Sequence, residues 1–71
     1  MIRIGLTQRV ITAPRTHERR DSLDQRWTSV MTQLGFVPIP LPNLLDNVEE
    51  YLDNLGLDGV ILTGGDDIRE Y

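Results

Sequence analysis

Two adjacent glycines, Gly64 and Gly65, follow the last apolar run of the chain and are the first candidates for chemistry. Glycine lets the backbone adopt positive φ and approach a ligand closely, and fixed N–H groups stabilise an oxyanion. The pair fits either such a backbone donor site or an ordinary tight turn after a strand. The neighbouring Asp66 and Asp67 fit either a hard-cation site or a solvated turn, because they lack the alternating spacing of a calcium loop.

A basic segment occupies residues 8–21 and has no hydrophobic period, so it is expected to be a long loop. Its arginines can clamp a carboxylate or a phosphate through their guanidinium forks. The candidates are Arg15, Arg19 and Arg20. Ion pairs with neighbouring acidic residues explain the same arginines about equally well. Those acidic residues are Glu18, Asp21 and Asp24.

Nucleophilic and acid–base candidates are few. His17 is the single histidine and fits either a proton shuttle or a solvated loop residue. The chain has no cysteine, which excludes a thiol nucleophile, a disulfide framework and a cysteine zinc site. Trp27 is expected to pack in the core rather than to stack on a ligand.

Length and charge restrict the class of protein. On folding, a chain of 71 residues buries only about 60% of the surface that it exposes when unfolded. If it folded by itself, its stability would therefore be marginal. The net charge of −4 is uneven, because six arginines lie in residues 1–26 and eight of the 11 acidic residues lie in 27–71. The acidic part disfavours a nucleic-acid partner. No run is long enough to span a membrane and no signal peptide is evident, so we expect a cytoplasmic protein with no membrane partner.

Two periodic segments predict the helices that must position these residues. The first begins at a capping box formed by Ser22 and Gln25 and ends at Gly35. The second begins near Asp46 and ends at Gly56. The apolar stripe of the first helix comprises Leu23, Trp27, Val30, Met31 and Leu34.

Three strands are expected, at residues 2–6, 36–42 and 60–62. The prolines of the second strand share one parity, so their missing N–H groups lie along one flank and make this strand an edge. They are Pro38, Pro40 and Pro42. The predicted fold class is therefore α/β, a partial flavodoxin-like parallel sheet with element order β-α-β-α-β and strand order 2-1-3 rather than 3-2-1. The third strand then lacks a second neighbour, so we expect the sheet to be incomplete.

Four segments resemble class I glutamine amidotransferase-like proteins, most closely the γ-glutamyl hydrolase branch that contains γ-glutamyl-γ-aminobutyrate hydrolase. The segments are residues 4–9, 18–27, 41–43 and 57–68, and the resemblance extends over nearly the whole chain. The resemblance corresponds to the amino-terminal third of such a protein. Residues 1–71 are therefore expected to be the amino-terminal part of a single catalytic domain.

The resemblance implies a hydrolase in which a Cys-His-Glu triad attacks a γ-glutamyl amide through a thioester intermediate, without a cofactor or a metal. It assigns the oxyanion-hole N–H to Gly65, with Gly64 as second choice. The catalytic residues of the family lie later in the sequence, and His17 does not match the catalytic position. Because a thiolate is the nucleophile of this chemistry, the 71 residues alone are expected to be inactive.

The long segment from Arg9 to Trp27 resembles a subgroup found in surface-polysaccharide operons, which removes the γ-glutamyl group from a nucleotide-linked phosphoramidate. The resemblance then implies that the basic residues of this segment bind the substrate. They are Arg9, Arg15, Arg19 and Arg20, of which the last three would contact a phosphate.

The expected partners are a small-molecule γ-glutamyl substrate, the remainder of the catalytic domain and a second copy bound through the open third strand. The alternative is a non-catalytic, small α/β module that binds an anion or a partner subunit. A reading frame that continues to a Gly-x-Cys-x-Gly elbow would favour the enzyme.

Overall fold

Five strands and two helices make up the part of the chain that the structure describes. The structure is a computed structural model and describes residues 1–63. The elements in chain order are β1 Arg3–Leu6, β2 Arg9–Thr12, β3 Arg19–Ser22, α1 Gln25–Gln33, β4 Val37–Pro40, α2 Val48–Leu55 and β5 Gly59–Ile61. Neither helix in residues 1–63 has both the length and the apolar character needed to cross a bilayer.

A three-stranded parallel sheet in the order β4-β1-β5 forms the centre of the mixed α/β fold. Within residues 1–63, β4 pairs only with β1, so the proline-containing strand is an edge as its parity predicts. The residues that alternate with the prolines donate toward β1. The N–H of Val37 donates to the carbonyl of Ile2 at 2.8 Å, and that of Leu41 to the carbonyl of Leu6 at 2.9 Å.

Residues 9–22 correct the expected element order. The sequence predicts a long loop here, but β2 and β3 form an antiparallel hairpin whose register pairs Arg9 with Ser22 and Thr12 with Arg19. Every residue of β2 is exposed. Because neither face of this strand is buried, the sequence lacks the alternation of apolar and polar residues that indicates a strand. The order of elements along the chain is therefore β-β-β-α-β-α-β. The predicted strand order 2-1-3 was numbered for three strands, so it does not describe this chain of five.

The start of α1 also differs from its prediction. Ser22 ends β3 and is not the N-cap; Asp24 takes that position, and its carboxylate accepts a hydrogen bond from the N–H of Arg26 at 2.9 Å. The helix ends before Gly35, whose φ of 84° is the left-handed conformation expected after a helix.

The second helix begins one residue later than expected. Its N-cap is Asn47, which accepts a hydrogen bond from the N–H of Glu50 at 3.0 Å. The helix ends at Gly56 with a φ of 62°, as predicted.

The core is built around the carboxyl half of β1. Leu6 is fully buried, and Met31 and Leu41 are nearly so. Gly5 permits a close approach on the other face of the strand, because a Cβ there would lie 2.8 Å from Cδ1 of Leu57. Trp27, which was expected to pack in the core, is half-buried. Two other members of the predicted apolar stripe, Val30 and Leu34, remain exposed.

The helix α2 lies over the Gly5 face of the sheet. Val48 and Leu52 line an apolar groove together with Val60, which is the register partner of Gly5. Helix α1 contacts the edge strand β4. The right-handed crossover that is the rule between parallel strands predicts that α1 covers the opposite face of the sheet.

Candidate functional site

Three connections meet at the carboxyl edge of the parallel sheet, where ligands bind in open α/β folds. They begin at Thr7 after β1, at Leu41 after β4 and at Leu62 after β5. Their hydrogen bonds show how each connection is held relative to the others.

Thr7 and Thr63 fix the beginning of the connection after β5. The N–H of Thr63 donates to Oγ1 of Thr7 at 2.8 Å, and the hydroxyl of Thr63 donates to the carbonyl of Thr7. The N–H of Thr7 donates in turn to the carbonyl of Ile61 at 3.1 Å. Both threonines are half-buried, so these bonds are shielded from competing water.

The predicted oxyanion donors, Gly64 and Gly65, lie outside the described residues. The same holds for the Asp66 and Asp67 pair. The described part of this connection ends at Thr63, directly before the first glycine.

Gln8 and Asn43 join the connection after β1 to the connection after β4. The side-chain amide of Gln8 donates to the carbonyl of Leu41 at 2.8 Å. The side-chain amide of Asn43 donates to the carbonyl of Gln8 at 3.1 Å. This reciprocal pair holds the base of the hairpin against the edge strand.

Asp21 provides a second attachment of the hairpin. Its Oδ1 accepts from the side-chain amide of Asn43 at 2.8 Å, and its Oδ2 accepts from the backbone N–H of Asn43 at 3.2 Å. Within residues 1–63, these bonds join the hairpin to the connection after β4.

The hairpin separates the arginines that were expected to act together. Arg19 is opposite Thr12 and Arg20 is opposite Ile11 in the register. Because successive side chains of a strand point to opposite faces, Arg19 and Arg20 lie on different faces of the hairpin. A ligand held against a single face of the hairpin would therefore lie on the side of only one of the two.

The other three basic positions of the hairpin differ in their surroundings. Arg20 donates to Oε1 of Glu18 from Nε at 3.1 Å and from Nη2 at 2.6 Å, the local ion pair that the sequence also allowed. Arg15 is exposed in the turn of the hairpin. Arg9 shares the face of Arg20, since it pairs with Ser22.

His17 lies in the connection between β2 and β3, which its backbone helps to close. It is exposed, its φ of 61° is left-handed, and its backbone N–H donates to the carbonyl of Ala13 at 2.9 Å. Residues 1–63 contain no group of three histidine or acidic side chains placed to hold a metal ion.

An open cavity of about 340 Å³ lies between the hairpin and the connection after β4. Its lining combines one cation, one carboxylate, one amide and two apolar side chains. These residues are Val10, Arg19, Asp21, Asn43 and Leu44. Among the predicted substrate-binding arginines, Arg19 lines this cavity.

No protein-family model, curated protein or solved structure matches the chain. The family resemblance and the site residues that it implies therefore stay predictions.

Sequence reasoning did not identify Gln8, Asp21 and Asn43 as the residues that position the hairpin. Their signal is weak, because polar residues after strands are common in turns. Asn43 follows Pro42 directly after an edge strand, which is the one local pattern that indicates an anchored turn.

Proposed function

We propose that the chain supplies the amino-terminal part of a cysteine-dependent hydrolase of γ-glutamyl amides, a flavodoxin-like protein of the class I glutamine amidotransferase type. The observation that carries the proposal is the bonding between Thr7 and Thr63. It holds the residue before Gly64 and Gly65 beside the end of the central strand. Backbone N–H groups presented there are suited to a carbonyl oxygen that becomes negatively charged.

In the proposed reaction, a thiolate adds to the γ-carbonyl carbon and the negative charge moves to the carbonyl oxygen. The N–H of Gly65, or that of Gly64, donates to this oxygen. As the intermediate collapses and the C–N bond breaks, the leaving nitrogen takes a proton from the histidine of the proposed triad and departs. The thioester that remains is hydrolysed by water to glutamate and free thiol. Because none of the 71 residues is a cysteine, the nucleophile belongs to a later part of the proposed domain.

The proposed substrate carries a phosphate on its amide nitrogen, as in a nucleotide-linked phosphoramidate. Support comes from the basic hairpin, which follows the carboxyl end of β1 and carries Arg9, Arg15, Arg19 and Arg20. Since Arg19 and Arg20 lie on different faces, each would contact a different part of such a substrate.

The role of Gly65 is tested in the product of the complete reading frame with a γ-glutamyl amide as substrate. Gly65→Pro removes the N–H and is expected to lower kcat by about 100-fold or more with little change in KM. Gly65→Ala keeps the N–H and is the matched control, with a much smaller loss. Equal losses in both variants, or a reading frame without a Gly-x-Cys-x-Gly elbow, would contradict the proposal.

The phosphate is tested with the double variant Arg19→Gln/Arg20→Gln. We expect a higher KM for the phosphorylated γ-glutamyl amide and an unchanged KM for a γ-glutamyl amide without phosphate. If both substrates respond equally, the arginines do not recognise the phosphate.

The second candidate function is a non-catalytic α/β module that binds an anion or a partner subunit. The observation that favours it is the outer flank of β5, which has no strand partner within residues 1–63. Val60 in β5 and Leu62, directly after this strand, are exposed at 47% and 77%. Sedimentation of the chain over a concentration series tests this second function. We expect the chain to associate with itself, and we expect Val60→Lys to abolish the association.

A further inference from the structure

The cavity between the hairpin and the connection after β4 has a lining that suits a specific class of small molecule. Its volume of about 340 Å³ falls within the range of small-molecule sites. The bonds from Asn43 to Asp21 and to Gln8 fix its two walls relative to each other. The cavity is therefore formed before any ligand enters.

Opposite charges lie side by side in this cavity. Arg19 and Asp21 occupy alternate positions of β3, so they share a face and line the same cavity. Within residues 1–63 the guanidinium of Arg19 makes no hydrogen bond or ion pair. The carboxylate of Asp21 accepts one bond on each oxygen from Asn43, which leaves further acceptor capacity on both.

Apolar groups complete the lining. Val10 is opposite Asp21 in the hairpin register and is exposed at 41%, and Leu44 is almost fully exposed. A ligand that reaches both charges can cover these two side chains and remove apolar surface from water.

We propose that this cavity binds a small zwitterion of the α-amino-acid class, with its carboxylate on Arg19, its ammonium group on Asp21 and an apolar side chain against Val10 and Leu44. A zwitterion complements both charges, whereas a ligand with a single charge complements only Arg19 or only Asp21. The proposal does not rest on γ-glutamyl hydrolysis and requires no cysteine.

The ligand class is tested by NMR titration of the chain with L-leucine and with two analogues that each lack one charge. The analogue 4-methylpentanoate lacks the ammonium group, and 3-methylbutylamine lacks the carboxylate. We expect L-leucine to shift the amide signals of Val10, Arg19 and Leu44 and to bind at least tenfold more tightly than either analogue. Equal affinity for 4-methylpentanoate overturns the ammonium contact, and the absence of shifts overturns the site. Tighter binding of L-glutamine overturns the apolar contact and indicates the substrate class of the proposed hydrolase instead.

Variants locate the ligand within the cavity. Arg19→Gln is expected to weaken L-leucine binding at least tenfold, whereas Arg26→Gln, which removes a charge at the start of α1, changes it less than twofold. Leu44→Gln alters an exposed side chain and leaves folding intact, and we expect it to weaken binding about threefold. Equal effects of Arg19→Gln and Arg26→Gln would show a general charge effect and overturn the proposal.

Discussion

The parallel sheet and the hairpin are stabilised by different interactions. In the sheet, Leu6 is fully buried and Gly5 lies in close contact with the side chains above it. In the hairpin, all of β2 and most of β3 are exposed. Its attachment is made by side-chain hydrogen bonds of Asp21, Asn43 and Gln8.

This difference separates global from local stability. Burial of apolar side chains determines whether the whole chain folds, so substitutions in the sheet change the free energy of unfolding. A few exposed hydrogen bonds determine whether the hairpin stays docked, so substitutions there open the hairpin and leave the sheet folded. The candidate site lies on the less stable side of this division.

The largest effect is expected for Leu6→Ala, which empties the fully buried position of the sheet. We expect a loss of about 3 kcal/mol in the free energy of unfolding, because both transfer energy and packing are lost. Leu62→Ala is the control, since Leu62 is exposed, and it should change stability by less than about 0.5 kcal/mol. Urea unfolding followed by circular dichroism measures both. Similar losses would mean that the sheet is not the stabilising unit.

A smaller loss is expected for Gly5→Ala. The added Cβ lies 2.8 Å from Cδ1 of Leu57 and 3.0 Å from Cδ1 of Leu41, so side chains must move at a cost of about 2 kcal/mol. Gly59→Ala is the matched control, because its Cβ would meet Ile4 at an ordinary 3.5 Å. The difference between the two urea midpoints tests the close approach, and equal midpoints would contradict it.

The sheet was the more predictable of the two regions. The parity of Pro38 and Pro40 indicates an edge strand with one partner, and alternating helices predict parallel pairing. These signals are strong because each is a steric constraint on a single residue. Gly35 and Gly56 mark the helix ends for the same reason.

The hairpin was not predictable because its signals compete. Arg9–Thr12 contains a β-branched run typical of a strand, but Arg19–Ser22 is wholly polar and offers no alternation. Ser22 fits a helix cap equally well from sequence, and only the pairing with Arg9 decides against it. For the candidate site, the sequence indicates which residue types are present, whereas the face on which each arginine lies depends on the hairpin register.

The attachment of the hairpin is tested with Asp21→Ala. It removes both bonds to Asn43 and is expected to lower stability by about 1 kcal/mol, because the exposed partners regain water. Hydrogen exchange should accelerate in β2 and β3 while the amides of β1 stay protected. Glu18→Ala, which breaks only the exposed pair with Arg20, should leave both regions unchanged. Uniform acceleration across the sheet would contradict the division into two regions.

The smallest effect is expected at Asp24, where the hairpin joins the first helix. The side-chain hydrogen bond from Arg26, aided by the bond from the Arg26 backbone N–H, lowers the pKa of Asp24 from 3.8 to about 2. Because the folded-state pKa is the lower one, this contact stabilises the fold above about pH 3.8, and its contribution is lost as the pH falls toward 2. NMR titration of the Asp24 carboxyl carbon measures the pKa, which Arg26→Gln should return toward 3.8 and which Arg20→Gln should not change. A pKa near 3.8 in the unaltered chain would show that the contact with Arg26 does not persist in solution, and the junction would then allow the hairpin to move independently of α1.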